Sequence, residues 1–108
     1  MPEPINDNMI LSVIDKGLDA IGSTPKQAIW SCLEKDHGIN QTNVTQNLEK
    51  FILLLEKFFG IGYNFLDTLF RLHLQNITQE NLEGNSSFLQ CVEALRLKAT
   101  KYDTEAIR

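Results

Sequence analysis

The side chains best suited to hold a metal ion are Cys32, His37, His73 and Cys91, the full complement of cysteine and histidine in the chain. Thiolates and imidazoles are zinc ligands, but these spacings match no compact zinc motif, and Cys32 and Cys91 fall on the inner faces of predicted helices. Two reduced, buried cysteines acting as small hydrophobes fit the pattern better. His73 lies near the centre of an apolar helical arc. A histidine there is either a general base in a pocket or a core residue that finds hydrogen-bond partners or stays neutral. No acid, nucleophile or glycine-rich loop can be set beside it, so the core reading is expected. Gly60-Ile61-Gly62 ahead of a helix offers backbone N–H groups to an anion, but it follows a helix where a dinucleotide fingerprint requires a strand, and no P-loop lysine follows it. A helix C-cap and a tight helical hairpin are expected instead. The carboxylates form no pair with catalytic spacing. The sequence therefore points away from an enzyme and gives no catalytic, cofactor-binding or metal-binding residue.

The elements that must position these groups are helical. Asn47 to Gly60, NLEKFILLLEKFFG, places Leu48, Phe51, Ile52, Leu54, Leu55, Phe58 and Phe59 on one arc of about 160°, with Glu49, Lys50, Glu56 and Lys57 opposite. Leu53 falls in the middle of that charged side. The next helix has an apolar arc of about 200° holding Phe65, Leu66, Leu69, Phe70, Leu72, Leu74 and Ile77, and is expected to be covered on more than one side. The two are expected to form the heart of the fold. Ahead of them, Met9, Ile10, Val13, Ile14, Gly17, Leu18 and Ile21 make the buried side of a first helix, where Gly17 is expected to admit another helix closely. Thr24-Pro25-Lys26-Gln27 matches a capping box at the start of a second helix, which contributes Ala28, Ile29, Cys32 and Leu33 and stops at Gly38, leaving Trp30 half exposed. Ile39 and Val44 are pegs of an ordered loop, and Thr45 or Asn47 then caps the central helix. A last helix opens at Asn85 or Ser86, buries Phe88, Cys91, Val92, Leu95 and Ala99, and frays after Thr100. No period-2 stretch or internal repeat is present. The expected fold is all-α: one domain over 1–108, a compact bundle of about five helices (5–22, 24–38, 46–60, 62–78 and 86–100) around a central helical hairpin.

Composition narrows the function classes. With 108 residues, 43% apolar and 22% charged, the chain can bury a core without a cofactor or staple. Ten basic residues scattered among fourteen acidic ones, net charge −4, argue against a phosphate-tracking surface. The nearest basic cluster, Arg96, Lys98 and Lys101, reads as a solvated helix face. The start, MPEPINDNMI, lacks a basic region and runs into Asp15, Lys16 and Asp19, so no membrane contact and a cytoplasmic location are expected. The Asn-X-Ser/Thr triplets at Asn40, Asn43, Asn76 and Asn85 are accordingly read as loop and helix-start chemistry rather than glycosylation sites.

The run AIWSCLEKDHGIN, then Val44, then NLEKFILLLEKFFGIGYNFL, resembles the archaeal output-domain family named for Nitrosopumilus, whose small helical modules show an aromatic-x-x-Leu-Glu pattern ending in glycine, a loop, and a helix ending in a Phe-Gly-x-Gly type turn. The resemblance covers roughly half the chain and implies a signalling or regulatory output module. Partnering with another protein or with itself is the leading expectation, through a surface of Leu53 rimmed by Glu49, Lys50, Glu56 and Lys57, with Trp30 as a second anchor. Glu49 and Lys50 have no opposite charge three or four residues away along the helix and are free to pair elsewhere. Two alternatives are a binder of small hydrophobic ligands or lipid tails, with Phe51, Phe58, Phe59, Phe65, Phe70 and Phe88 lining a cavity between the third, fourth and fifth helices, and a helix-turn-helix DNA binder over Thr24 to Gly60, disfavoured by the acidic balance and the apolar helix.

Overall fold

The computed structural model describes residues 5–80 and 86–106, the last nine of these by their backbone. Five α-helices run in order, α1 (Asp7–Asp19), α2 (Ser23–His37), α3 (Leu48–Phe59), α4 (Tyr63–Thr78) and α5 (Phe88–Ala106), with 3-10 turns at Val44–Gln46 and Gly60–Gly62 and no strand among the described residues. The bundle proper is made of α1, α3, α4 and α5, while α2 lies at its edge. The expected bundle of about five helices is in this sense one of four with a flanking helix.

The centre of the bundle is also not the expected hairpin. The most extensive helix pair is α1 with α4, whereas α3 and α4 share much less surface. Gly17 explains the preference. Its place on α1 is filled from outside by the Phe70 ring of α4, which a Cβ at Gly17 would overlap. The glycine thus admits a helix closely, as its position in the apolar arc foretold. Phe70 is fully buried and meets Phe88 of α5 at 5.0 Å between ring centres, tilted by 48°, so one ring joins three helices.

Helix ends follow local chemistry. The Asn6 side chain accepts the Met9 N–H at 2.9 Å and opens α1. α2 starts one residue before the expected Thr24 cap: Gly22, at φ 100°, takes the cap position, and its carbonyl accepts the Lys26 N–H at 3.1 Å. Lys26 then reaches back to α1, with Nζ 2.6 Å from Asp15 and 2.7 Å from Asp19. Pro25 falls in the first turn, where its missing N–H leaves nothing unpaired. The helix closes as expected at Gly38, φ 67°, with Gly38 N–H on Glu34 O and Ile39 N–H on Leu33 O. Ile39 and Val44 are buried pegs. Between them the asparagines serve the backbone: Asn43 Oδ1 accepts the Asn40 N–H, and its amide donates to Gly38 O. α3 opens at Asn47 with no side-chain cap. Ser87, rather than Asn85 or Ser86, opens α5 through a reciprocal pair, Ser87 N–H to Gln90 Oε1 at 2.9 Å and Gln90 N–H to Ser87 Oγ at 3.2 Å. Asn85 lies outside the described residues. α5 continues past Thr100 to Ala106, because nothing after Thr100 is a helix breaker.

Several apolar residues are not where periodicity put them. Ala28 is exposed and Cys32 half-buried, its thiol donating to Asp36 at 3.4 Å. Phe58, Phe65 and Leu72 are exposed, and Leu69, His73 and Ile77 half-buried. The wide arc of α4 is in fact two arcs: Leu66, Phe70 and Leu74 turn inward, Phe65 and Leu72 outward. The side chain of Ala99 lies outside the described residues. No helix among the described residues is long and apolar enough to cross a membrane.

Candidate interaction surface

On α3, Leu53 is 59% exposed, and Glu49, Lys50, Glu56 and Lys57 around it are exposed as the pattern requires. Trp30 does not join them. Its ring stacks on Phe51, 5.9 Å between centres and 13° from parallel, and Phe51 lies about 160° around α3 from Leu53. The two expected anchors therefore sit on different sides of the molecule. The Trp30 ring is half-buried with its Nε1 buried and unpartnered among the described residues.

A second apolar surface lies at the α3–α4 corner and along the outer side of α4. Gly60, at φ 56° with nothing near its missing Cβ, turns the chain sharply after α3, and the turn thrusts Ile61 into solvent. Ile61 is 88% exposed, Phe65 58%, Leu72 51% and the preceding Phe58 42%. Phe65 and Leu72 are seven residues apart and so lie one above the other, with half-buried Leu69 beside them. Within about 80° of Phe65 on either side, the other α4 residues are Thr68, Gln75, Asn76 and His73, none of them Asp, Glu, Lys or Arg.

The two formal charges of α4, Asp67 and Arg71, face the other way, into a cleft of about 490 Å³ between α3, α4 and the start of α5. Tyr63, Asp67 and Arg71 line it from successive turns of α4, Ile52 and Glu56 from α3, and Ser86, Ser87 and Leu89 from the α5 end. Asp67 is the organising group: one oxygen accepts Arg71 Nε at 3.0 Å, the other the Phe88 N–H at 2.9 Å, so a carboxylate sits at the positive end of α5. Tyr63 is 6% exposed, and its hydroxyl, closed off from solvent, stands beside the Asp67 carboxylate. Burial first, then the charges of Asp67 and Glu56, push its ionisation well above the usual phenol range.

No family model, curated protein or solved structure matches this chain.

Among the described residues no group of three or more His, Cys, Asp or Glu side chains is placed to share an ion. The Asp36 carboxylate pushes the Cys32 thiol up, and burial pushes Cys91 up, the reverse of what a thiolate nucleophile needs. Of the phenylalanines, Phe51, Phe70 and Phe88 are fully buried core, Phe58 and Phe65 face outward, Phe59 is half-buried, and none borders the cleft between α3, α4 and α5. Sequence reasoning missed that cleft, although a signal was present. The two charges of α4 are opposite in sign, four apart, and follow Tyr63 at the same spacing, which puts all three on one side of the helix.

Proposed function

We propose that this chain is a non-enzymatic helical interaction module that pairs with a second copy of itself through the outer side of α4 and the α3–α4 corner. The observation that carries the reading is the stripe Ile61–Phe65–Leu72, exposed, with no formal charge among the α4 residues that flank Phe65 and Leu72. Solvated helix faces carry charge, as the Leu53 side of α3 does, whereas the centres of protein interfaces are depleted of it. A charge-free stripe also suits a two-fold pairing. Identical surfaces meet there, and any charge near the axis would face its own kind. With Phe58 the exposed apolar side chains present an area on the order of 400 Å², at the size where patches on monomers become functional. Doubled across a two-fold and enlarged by the polar rim, this reaches roughly the 1,000 Å² of a modest specific interface.

The test is solution mass by sedimentation equilibrium over a wide concentration range, for the wild type, Phe65→Lys, and Leu53→Lys. Concentration-dependent dimerisation abolished by Phe65→Lys and kept by Leu53→Lys is expected. Dimerisation lost in Leu53→Lys and kept in Phe65→Lys would move the interface to the charged side of α3, and a monomer throughout would remove the reading.

A further inference from the structure

The second helix is held to the bundle less firmly than its neighbours. Of the fifteen residues of α2 only Leu33 is buried, whereas α1 buries six of thirteen, α3 five of twelve and α4 five of sixteen. It lies at the edge, against α1 and the Phe51 ring of α3. Its one polar tie to another helix among the described residues is Lys26, whose partners Asp15 and Asp19 are 46% and 60% exposed, and pairs so wetted hold little. Trp30 stacks on Phe51, but its Nε1 is shut from water with no acceptor among the described residues, a loss that seating α2 incurs and release recovers. Glycines stand at both ends, Gly22 and Gly38, and glycine absorbs a change of backbone direction at little cost. Beyond Gly38 the buried pegs Ile39 and Val44 fasten the loop to the bundle, so α2 can leave without drawing α3 with it.

We infer that α2 is a strap that opens as one unit, hinged at Gly22 and Gly38, while α1, α3, α4 and α5 stay folded, and that opening uncovers Phe51. Closed, Trp30 and Phe51 cover one another, and Phe51 is wholly withdrawn from solvent. Open, the two rings stand free and α3 shows an apolar surface that the closed protein hides. Elements that move are drawn from the least stable part of a structure, where few apolar side chains are buried. Of α1 to α4, α2 is that part. A helix of fifteen residues released from its seat is marginal on its own, so opening frees its amide hydrogens to exchange.

The experiment is amide hydrogen exchange of the full chain followed by NMR, in steps of urea below the unfolding transition. Relative to their unstructured rates, the amides of residues 29–36 are expected to exchange at least about tenfold faster than those of residues 10–18 and 66–74. They share one urea dependence, shallower than that of the bundle because less surface is exposed. Gly17→Ala, which weakens the α1–α4 contact, speeds the α1 and α4 amides and leaves those of α2 unchanged, while Lys26→Met speeds the α2 amides a few-fold. Rates in α2 that follow the urea slope of α1 and α4, or rise in step with theirs in Gly17→Ala, mean that α2 leaves only when everything unfolds, and overturn the inference. Exchange graded inward from the ends of α2 with no common slope is fraying, and overturns it equally.

Discussion

Replacing Gly17 by alanine tests the α1–α4 contact on which the bundle rests. In an exposed helix the change would stabilise by about 1 kcal/mol. Here the new Cβ would coincide with the edge of the Phe70 ring. That ring is fully buried and has Phe88 5.0 Å behind it, so it cannot withdraw without moving a second aromatic. Overpacking of this kind costs about 1–3 kcal/mol, and the blocked retreat argues for the upper part of that range. Set against the propensity gain, the net loss is about 1–2 kcal/mol, or roughly 4–16 °C in melting temperature for a domain of this size. Urea unfolding followed by far-UV circular dichroism measures it, provided the slope is unchanged. The cause is isolated by Phe70→Leu, which alone costs about 1–2 kcal/mol through lost ring atoms. If overlap is responsible, the Gly17→Ala/Phe70→Leu double variant is less destabilised than the sum by at least about 0.5 kcal/mol. A Gly17→Ala protein more stable than wild type, or strict additivity, would refute the close approach.

Gly62 provides the opposite sign: at φ −60° a Cβ would stand 3.8 Å from Phe59 Cβ, ordinary contact, so Gly62→Ala should stabilise by about 0.4–1 kcal/mol in the same assay. Asp67→Ala strips the Phe88 N–H and Arg71 of their shared acceptor and should cost about 2–3 kcal/mol, while Asp67→Asn, which keeps an acceptor oxygen, should cost clearly less. Stability should fall at high pH for two reasons with one sign. The Asp15 and Asp19 carboxylates raise Lys26 above its ordinary 10.5, so the folded chain keeps a proton that the unfolded chain releases. Burial raises Tyr63 above its ordinary 10.0 with the same result. Both contributions are whole below about pH 10 and decline above it; urea midpoints across that range should show the fall, shallower in Tyr63→Phe and in Lys26→Met.

What could be read in advance was whatever a single helix decides. The glycine stops at Gly38 and Gly60, the loop pegs Ile39 and Val44, the inner face of α1 and the exposure of Leu53 all follow from spacing and local backbone chemistry. What escaped was decided between helices. Thr24 has every local feature of a cap, yet Gly22 takes the cap position, α2 starts at Ser23, and Lys26 in its first turn pairs with Asp15 and Asp19 of α1. Arg96, expected as part of a solvated cluster, donates to the Thr45 carbonyl at 2.8 Å across 51 positions of sequence, and no local pattern announces so distant an acceptor. The α3–α4 hairpin looked central because α3 is the most apolar helix and α4 has the widest apolar arc, but neither property says which helix has room for a neighbour. Gly17 does, on a helix that is less apolar than α3.

The same distinction governs the two exposed apolar sites. On α3 a leucine surrounded by charges was conspicuous because it broke a pattern. On α4 Phe65 and Leu72 broke nothing, because inner and outer arcs together read as one wide apolar face. Periodicity sums over directions; it cannot tell a helix packed on both sides from one packed on a single side. The charges can. Asp67 and Arg71 are half-buried at the cleft beside α5, in the direction where solvent would ordinarily be assigned, and the arc around Phe65 has no formal charge to mark it as wet. A lone leucine at 59% exposure is an ordinary feature of a water-facing surface. Phe65 and Leu72, with no charged neighbour on α4, and Ile61 at the corner before them make a surface that water solvates poorly, and so α4 rather than α3 is where a partner would gain most by arriving.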